Sequence, residues 1–422
     1  MSYKLDTLCV QAGYKPKTGE SRIPQICQST TFFYGDTQAM ADLFDLKSDG
    51  YFYSRLANPT VAAFEGKVAA LEDGVCAIGC ASGMSATSLA VFTVAGAGDN
   101  ILSSQAVYGG TYNLFSTTLP KLGIECRFFD PDAPAEEIEK LIDEKTKIIF
   151  TETVANPAIV VLDFEKIAKI AQKHGVLFAV DNTLATPVLC QPKKFGANLA
   201  IHSSSKYLDG HAAALGGVIV DLGNFNYKNN PRYPSFNQPD ESYHGLVYAD
   251  LAVPFGTKCR AQMMRDFGAI MSPQNGFISY LGCDTLALRM ERHSQNAAKI
   301  AKYLSKHPKI EWINHPSLEG NKYHELAKKY LPNGCGGMMS FGICGSVENC
   351  ATFMESLQLI TQETHVADVR SCVLHPASTT HRQLSEEDLK KAGVPHNLVR
   401  LSVGIENADD LIADLEQALA KI

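Results

Sequence analysis

Residues 176–206 read VLFAVDNTLATPVLCQPKKFGANLAIHSSSK. Val176–Val180 is a short apolar run that stops at Asp181-Asn182-Thr183. Leu199–His202 is a second such run, and it stops at Ser203-Ser204-Ser205-Lys206. Runs of this length closed by small and ionisable residues read as buried strands with polar ends.

The same texture continues on both sides. Val75–Ile78, Asn100–Ser103, Glu125–Phe129 and Lys147–Thr151 are further short apolar runs. Helical stretches separate most of them: Ala62–Leu71, which ends at the stop signal Asp73-Gly74, then Pro134–Asp143 and Phe164–His174. This alternation predicts an α/β fold, a mainly parallel sheet with helices on both faces. The binding crevice of such a sheet lies beyond the carboxyl ends of its strands. Ser82-Gly83-Met84, Glu152 to Asn156, Asp181-Asn182-Thr183 and Ser203 to Lys206 all fall there.

The rest of the chain divides around this centre. Residues 1–60 lack a long periodic segment and read as an extended arm. Residues 61–265 form the strand–helix region. Within it, residues 223–255 carry four Pro and many aromatics and Asn, which suggests a long functional or oligomer-covering loop. Residues 266–422 read as a smaller α+β region, with a long amphipathic helix over Asp284–Leu304 and a Gly-rich strand region over Gly334–Ile343. A closing helix spans Ala408–Ile422, with Leu411, Leu415 and Leu419 on one face.

Composition excludes several classes. The 422 residues are 45% apolar and 20% charged, with a net charge of -7, so the chain is neither disordered nor fibrous. Nothing favours a nucleic-acid or anionic-membrane surface, which needs clustered positive charge. The 12 Cys form no CxxC, and MSYKLDTLCV has no signal-peptide core, so a reducing, cytoplasmic location is expected. Val75 to Gly98 carries no charge, but its Gly, Ser and Thr content suits a buried strand–turn–helix better than a membrane span.

Lys206 ends a strand among serines. A partly buried lysine has its pKa depressed and suits Schiff-base chemistry, although a lone lysine at such a place can also simply reach solvent. Asp181 can cap a helix or put a carboxylate in the crevice against a cationic ring nitrogen. Ser82-Gly83-Met84 opens a helix, whose free N–H groups can receive a phosphate. The turn matches neither GxGxxG nor GxxxxGK. No metal set has ligand spacing (Cys76 with Cys80, or His375 with His381), and no GxSxG elbow is present.

Longer strings carry a resemblance. They are Tyr53-Ser54-Arg55-Leu56-Ala57-Asn58-Pro59-Thr60, Ala81-Ser82-Gly83-Met84, Val107-Tyr108-Gly109-Gly110-Thr111 and Glu152-Thr153-Val154-Ala155-Asn156-Pro157. Further on come Asp181-Asn182-Thr183, His202-Ser203-Ser204-Ser205-Lys206-Tyr207-Leu208-Asp209-Gly210-His211, His375-Pro376-Ala377-Ser378-Thr379-Thr380-His381 and Arg400-Leu401-Ser402-Val403-Gly404-Ile405-Glu406. In this order they resemble the cystathionine γ-synthase-like family of Cys/Met-metabolism pyridoxal-phosphate enzymes, over essentially the whole chain. The resemblance implies a fold-type I, aspartate-aminotransferase-like architecture, with a seven-stranded sheet domain, a smaller C-terminal domain and a homotetramer of paired dimers.

It also implies roles. Lys206 would carry pyridoxal 5'-phosphate as a Schiff base and then shuttle protons, while Asp181 would hold the pyridine nitrogen protonated. Ser82, Gly83, Met84, Ser203 and Ser205 would grip the phosphate, with Thr183 beside the ring. Tyr108 would stack on the ring and assist catalysis, and Asn156 would bond the 3'-oxygen. Tyr53 and Arg55 would reach the phosphate from a neighbouring subunit. Arg400, with Tyr53 and His365, would meet the substrate; an arginine between Val399 and Leu401 is costly to bury without an anion.

Within the family, the insert with Phe236-Asn237-Gln238-Pro239-Asp240 and Tyr243-His244-Gly245-Leu246 is similar to that of O-acetylhomoserine sulfhydrylases. So is Ser378-Thr379-Thr380-His381-Arg382-Gln383-Leu384. The implied activity is γ-replacement, giving L-homocysteine and acetate from O-acetyl-L-homoserine and sulfide. Methionine γ-lyase, which carries Cys where this chain has Gly110, and then cystathionine γ-synthase are the alternatives. Gly110 either leaves room beside Tyr108 or satisfies a turn. Three positions depart from the family pattern: Ser205 replaces Thr, Asn198 replaces Asp, and His365 stands where Ser or Asn is usual.

Overall fold

The computed structural model describes residues 3–380, 382 and 393–422. His381, Gln383 and Leu384 of the last strings lie outside them. Seven strands form the larger sheet: β1 (Cys76–Cys80), β2 (Asn100–Ser104), β3 (Glu125–Phe129), β4 (Thr146–Glu152), β5 (Leu177–Asp181), β6 (Leu199–His202) and β7 (Gly217–Asp221). Their order is β1-β7-β6-β5-β4-β2-β3. Only β7 is reversed, antiparallel to β1 and β6, and the pairings from β6 through β3 are parallel.

Alternate residues of a strand face opposite sides, and β4 shows the consequence. Ile149 enters one apolar core, while Ile148 and Phe150 enter the core on the other face. A sheet buried on both faces needs apolar residues at every position, which explains why these strands read as unbroken apolar runs.

A second sheet contains β8 (Ile310–Asn314), β9 (Met338–Ile343), β10 (Thr361–Gln362), β11 (Cys372–Leu374) and β12 (Leu398–Ser402), in the order β10-β11-β12-β9-β8. Helices Leu286–Leu304, Val347–Ser356 and Ala408–Leu419 cover it around a third core. Among the described residues no helix is long and apolar enough to cross a membrane.

Five readings change. The arm is not wholly extended, since it holds helices Leu5–Gln11 and Thr37–Phe44, the latter capped by Asp36 accepting from the Ala39 N–H at 2.8 Å. The stretch Pro134–Asp143 is helical only over Ala135–Glu139, because the Asp143 carboxylate binds the Lys145 amide and the Asn100 side chain in a turn. The helix expected from Asp284 begins at Leu286, after a separate helix Pro273–Asp284 capped by Ser272. Its two glycines hid that helix. At Gly282 a Cβ would lie 2.4 Å from the carbonyl oxygens of Leu208 and Asp209, so contact with the segment just after Lys206 excludes a side chain. Strand β7 escaped notice behind Gly216-Gly217.

The fifth concerns the insert 223–255, expected as a functional or oligomer-covering loop, which does not stand off the body but packs its aromatic rings into the core on one face of the sheet. Tyr227, Tyr233, Phe236 and Tyr248 are all buried, with Tyr227 and Phe236 stacked at 4.2 Å between ring centres. The Tyr233 hydroxyl donates to the Lys147 carbonyl at 2.5 Å and accepts from the Leu177 N–H at 2.8 Å, which ties the insert to two sheet strands.

Candidate active site

The carboxyl ends of β1, β4, β5 and β6 open on one cavity of about 280 Å³. Ser82, Gly83, Met84, Tyr108, Asn156, Asp181, Thr183, Ser203, Ser205, Lys206, His365 and Arg400 all line it, as does Glu152, for which the sequence suggested no role. Tyr53 and Arg55 do not. The Arg55 guanidinium donates to the Arg265 carbonyl at 2.9 Å and sits 5.2 Å from the centre of the Tyr53 ring.

One wall is the start of helix Gly83–Val94. Ser82 caps it, its hydroxyl accepting from the Ser85 N–H at 3.1 Å. The first amides of a helix have no carbonyl one turn back, so those of Gly83 and Met84 are available to an anion. Ser203 presses on this turn: a Cβ at Gly83 would lie 2.7 Å from the Ser203 Cβ. The hydroxyl of Ser205 accepts from the Gly216 N–H at 2.9 Å. Serine thus fills the place of the usual threonine with its oxygen already held by the chain. Thr183 braces the wall from below, its hydroxyl accepting from the Ser203 N–H at 2.8 Å.

The floor is acidic. Asp181 accepts from the Thr183 N–H at 2.9 Å. Burial pushes its carboxyl above the usual range, while the Thr183 hydrogen bonds and the nearby His202 pull the other way. Glu152 accepts from the Tyr108 N–H at 2.6 Å, which fixes the backbone beneath the Tyr108 ring. Burial first, and the charge of Asp181 second, raise the Glu152 carboxyl well above its ordinary value. Behind the floor lies a fully buried couple, His202 Nε2 with Glu72 Oε1 at 2.7 Å, which the Asn182 amide also joins at 2.8 Å.

Lys206 stands across from Asp181. Burial, and then the charge of Arg400, lower the pKa of its amine. Its Nζ lies 3.1 Å from His365 Nδ1. Arg400 is buried on β12 and donates to the His365 carbonyl at 3.2 Å, while its Nε is buried without a partner. Among the described residues no carboxylate pairs with it, and desolvation lowers its pKa to about 10. A guanidinium held this way is a ready fork for a carboxylate. A further compartment of about 380 Å³ shares Tyr108, Lys206, His365 and Arg400 and reaches Gly109, Gly110 and Thr380.

These features fit pyridoxal phosphate. Amides at a helix start and the Ser203 hydroxyl suit a phosphate dianion, and a lysine with lowered pKa suits a covalent link to an aldehyde. The buried Asn156 side-chain oxygen, which has no partner among the described residues, leaves that amide free for a ring substituent. Asp181 offers a carboxylate to a ring nitrogen.

Comparisons with known proteins agree. The family model for Cys/Met metabolism PLP-dependent enzymes matches residues 6–420. Homocysteine synthase of Schizosaccharomyces pombe is 45% identical, over 99% of this chain and 98% of its own. O-acetyl-L-homoserine sulfhydrylase of Leptospira meyeri is 43% identical, over 100% of this chain and 98% of its own. A candidate O-acetylhomoserine (thiol)-lyase of Campylobacter jejuni, crystallised with pyridoxyl-lysine phosphate, superimposes with a TM-score of 0.97. It shares 43% identity, with 99% of this chain and 100% of that one covered. With its fold-type I architecture, its cavity and these relatives, the chain belongs to the Cys/Met metabolism family of pyridoxal-phosphate-dependent enzymes.

Proposed function

We propose that the chain replaces the γ-substituent of an activated homoserine, converting O-acetyl-L-homoserine and sulfide to L-homocysteine and acetate. The relatives named homocysteine synthase and O-acetyl-L-homoserine sulfhydrylase support this choice of substrates. The observation that carries it is the pair of joined compartments: one suits the cofactor, and the other, between Arg400 and Gly110, suits a small amino acid and a sulfur nucleophile.

Pyridoxal phosphate, when bound, supplies an electron sink for charge developing beside the substrate α-carbon. The chain's own residues do the rest. Gly83 and Met84 amides, with Ser82, Ser203 and Ser205, bind the phosphate. Asp181, beside Thr183, pairs with the ring nitrogen, Asn156 bonds the 3'-oxygen and Tyr108 covers the ring face. Lys206 Nζ holds the cofactor covalently. Once the substrate amine takes its place, Nζ takes the α-proton and moves protons between the α and β carbons. Arg400 clamps the substrate carboxylate. His365 borders the same place, and Tyr53 would reach it from a neighbouring subunit.

We propose further that residues 1–60 form an arm to a neighbouring subunit, with residues 61–265 as the cofactor-binding domain and 266–422 as the C-terminal domain. The working unit is then a cytoplasmic homotetramer of paired dimers. The arm supports this, because Phe33 is 95% exposed, with Ile26, Phe44 and Tyr51 exposed nearby in sequence. Apolar surface of this kind marks an interface.

The test is to load the purified chain with pyridoxal phosphate and offer O-acetyl-, O-succinyl- and O-phosphohomoserine, each with and without sulfide. Homocysteine from the acetyl ester, formed only with sulfide, is the expected result. α-Ketobutyrate as the main product in the presence of sulfide would favour the lyase reading.

A further inference from the structure

His365 is the site residue that departs most in chemistry from the family pattern. Its imidazole bridges two groups. Nδ1 lies 3.1 Å from Lys206 Nζ, and Nε2 lies 3.8 Å from Asp368 Oδ2 while making no hydrogen bond. The backbone is pinned as well, since the His365 carbonyl accepts from Arg400 Nη2 at 3.2 Å and from Cys372 Sγ at 3.3 Å. Asp368 is itself buried and held, its other oxygen accepting from the Arg370 N–H at 2.6 Å.

A neutral imidazole has one N–H and one lone pair, and its surroundings choose which nitrogen carries which. An ammonium on Lys206 needs an acceptor at Nδ1, which puts the proton on Nε2, and Nε2 faces the Asp368 carboxylate. The charged and titratable groups around the ring are Lys206, Asp209, Asp368, Cys372 and Arg400. Burial, and then the Lys206 charge, favour the neutral ring over the cation, against Asp368 and Asp209.

We infer that His365 is a positioning residue for Lys206: its Nδ1 anchors the amine between proton transfers, and the nearby charge of Asp368 favours the tautomer that makes Nδ1 the acceptor. This rests on the reading of Lys206 as the proton carrier. A freed lysine has a four-carbon stem with many rotamers. Without an anchor it spends less time where the α-proton is, and misplacement by about 1 Å costs up to about a hundredfold in rate.

The test uses His365→Leu, His365→Gln and Asp368→Asn, with Lys206→Ala as reference. In holoenzyme, exchange of the L-alanine α-proton with deuterium isolates the proton step from sulfide chemistry. His365→Leu should slow exchange about tenfold or more, with kcat lowered more than KM for alanine is raised. Gln, whose side-chain oxygen replaces Nδ1 as acceptor, should recover part of the rate, and Asp368→Asn should fall between. In the cofactor-free chain, competitive acetylation read by peptide mass spectrometry gives the pH at which the Lys206 amine becomes reactive. That midpoint should drop in His365→Leu, because the lost acceptor had favoured the ammonium, and should hold in His365→Gln. Exchange at the wild-type rate in His365→Leu, or an unmoved midpoint, overturns the inference. Exchange that persists in Lys206→Ala instead overturns the reading of Lys206.

Discussion

Glu152 and Asp181 are register partners at the carboxyl ends of β4 and β5, two acids side by side on adjacent parallel strands. Burial is the first cause raising both carboxyls, and both line the same cavity. A group whose folded pKa lies above its unfolded value binds its proton more tightly when folded. Its stabilisation is therefore complete below the ordinary carboxylate range and is lost as pH rises through the folded value. The cofactor-free chain should therefore be less stable at about pH 8 than at about pH 5 on this account. Glu152→Gln keeps an acceptor for the Tyr108 N–H but removes one buried charge. It should raise the pH 8 melting temperature by about 1 °C, the shift expected for about 1 kcal/mol in a chain of this size. It should also flatten the fall. Melting curves at the two pH values decide the matter, and an identical fall in both proteins would count against it.

Arg400 has no carboxylate partner among the described residues, so the substrate is the natural occupant of its fork. Arg400→Lys keeps a charge but loses the planar pair of donors. Hydrogen bonds to charged groups are worth about 1.5–3 kcal/mol, so KM for O-acetylhomoserine should rise about tenfold to a hundredfold. Sulfide dependence should stay the same. Steady-state kinetics with each substrate varied in turn tests both halves, and an unchanged KM for the ester removes Arg400 from the carboxylate site.

How much of this was legible in sequence depended on the range of the interaction. The strand ends were legible because an apolar run stopping at Asp181 or Lys206 is a local pattern. Glu152 ends a neighbouring run in the same way, and two acids at the ends of successive runs are the signal that could have marked the pair. The His365 contact was not legible, since it joins residues 159 positions apart through a fold that brings the second sheet over the first. The insert misled for a different reason. Its four prolines and its asparagines look like surface loop, yet its aromatic rings pack edge to face and bury themselves against the sheet. Proline and asparagine mark turns there, while tertiary packing decides where the aromatic side chains between them go.

The arm supplies a prediction that needs no structure of the assembly. Arg55 is exposed and does not line its own cavity, and among the described residues its hydrogen-bond partner is the Arg265 carbonyl. If it serves a neighbour, Arg55→Ala and Lys206→Ala damage different parts of a shared site. Chains carrying one change each, unfolded and refolded together, should recover activity. Random pairing in a two-fold dimer leaves about a quarter of sites with both residues intact. Each variant alone should stay nearly inactive. Mixed protein no more active than the separate variants would mean that the arm completes no neighbouring site.

The last prediction concerns Gly110. Its backbone is not in the left-handed region, so a turn does not require glycine. The Tyr108 ring does: a Cβ at position 110 would lie 2.5 Å from Cε1 and 3.1 Å from Cζ of that ring. Contacts this short force the neighbour to move, and the Tyr108 ring, 52% exposed at residue level, is free to swing. Any side chain at 110 therefore turns the tyrosine and takes space from the compartment beside Lys206. Gly110→Ala tests bulk alone, and Gly110→Cys adds the thiol that the lyases carry. Sulfide addition to the O-acetylhomoserine-derived species should fall in both, by about twofold to tenfold, the cost of moving an aromatic contact worth about 0.5–1.5 kcal/mol. Elimination from methionine should rise only in Gly110→Cys, where a thiol can orient the thioether leaving group. The measurement is kcat/KM for homocysteine synthesis and for α-ketobutyrate release in each variant. Full synthesis in Gly110→Ala would mean that the ring already has room, and the choice between replacement and elimination would then have to lie elsewhere in the cavity.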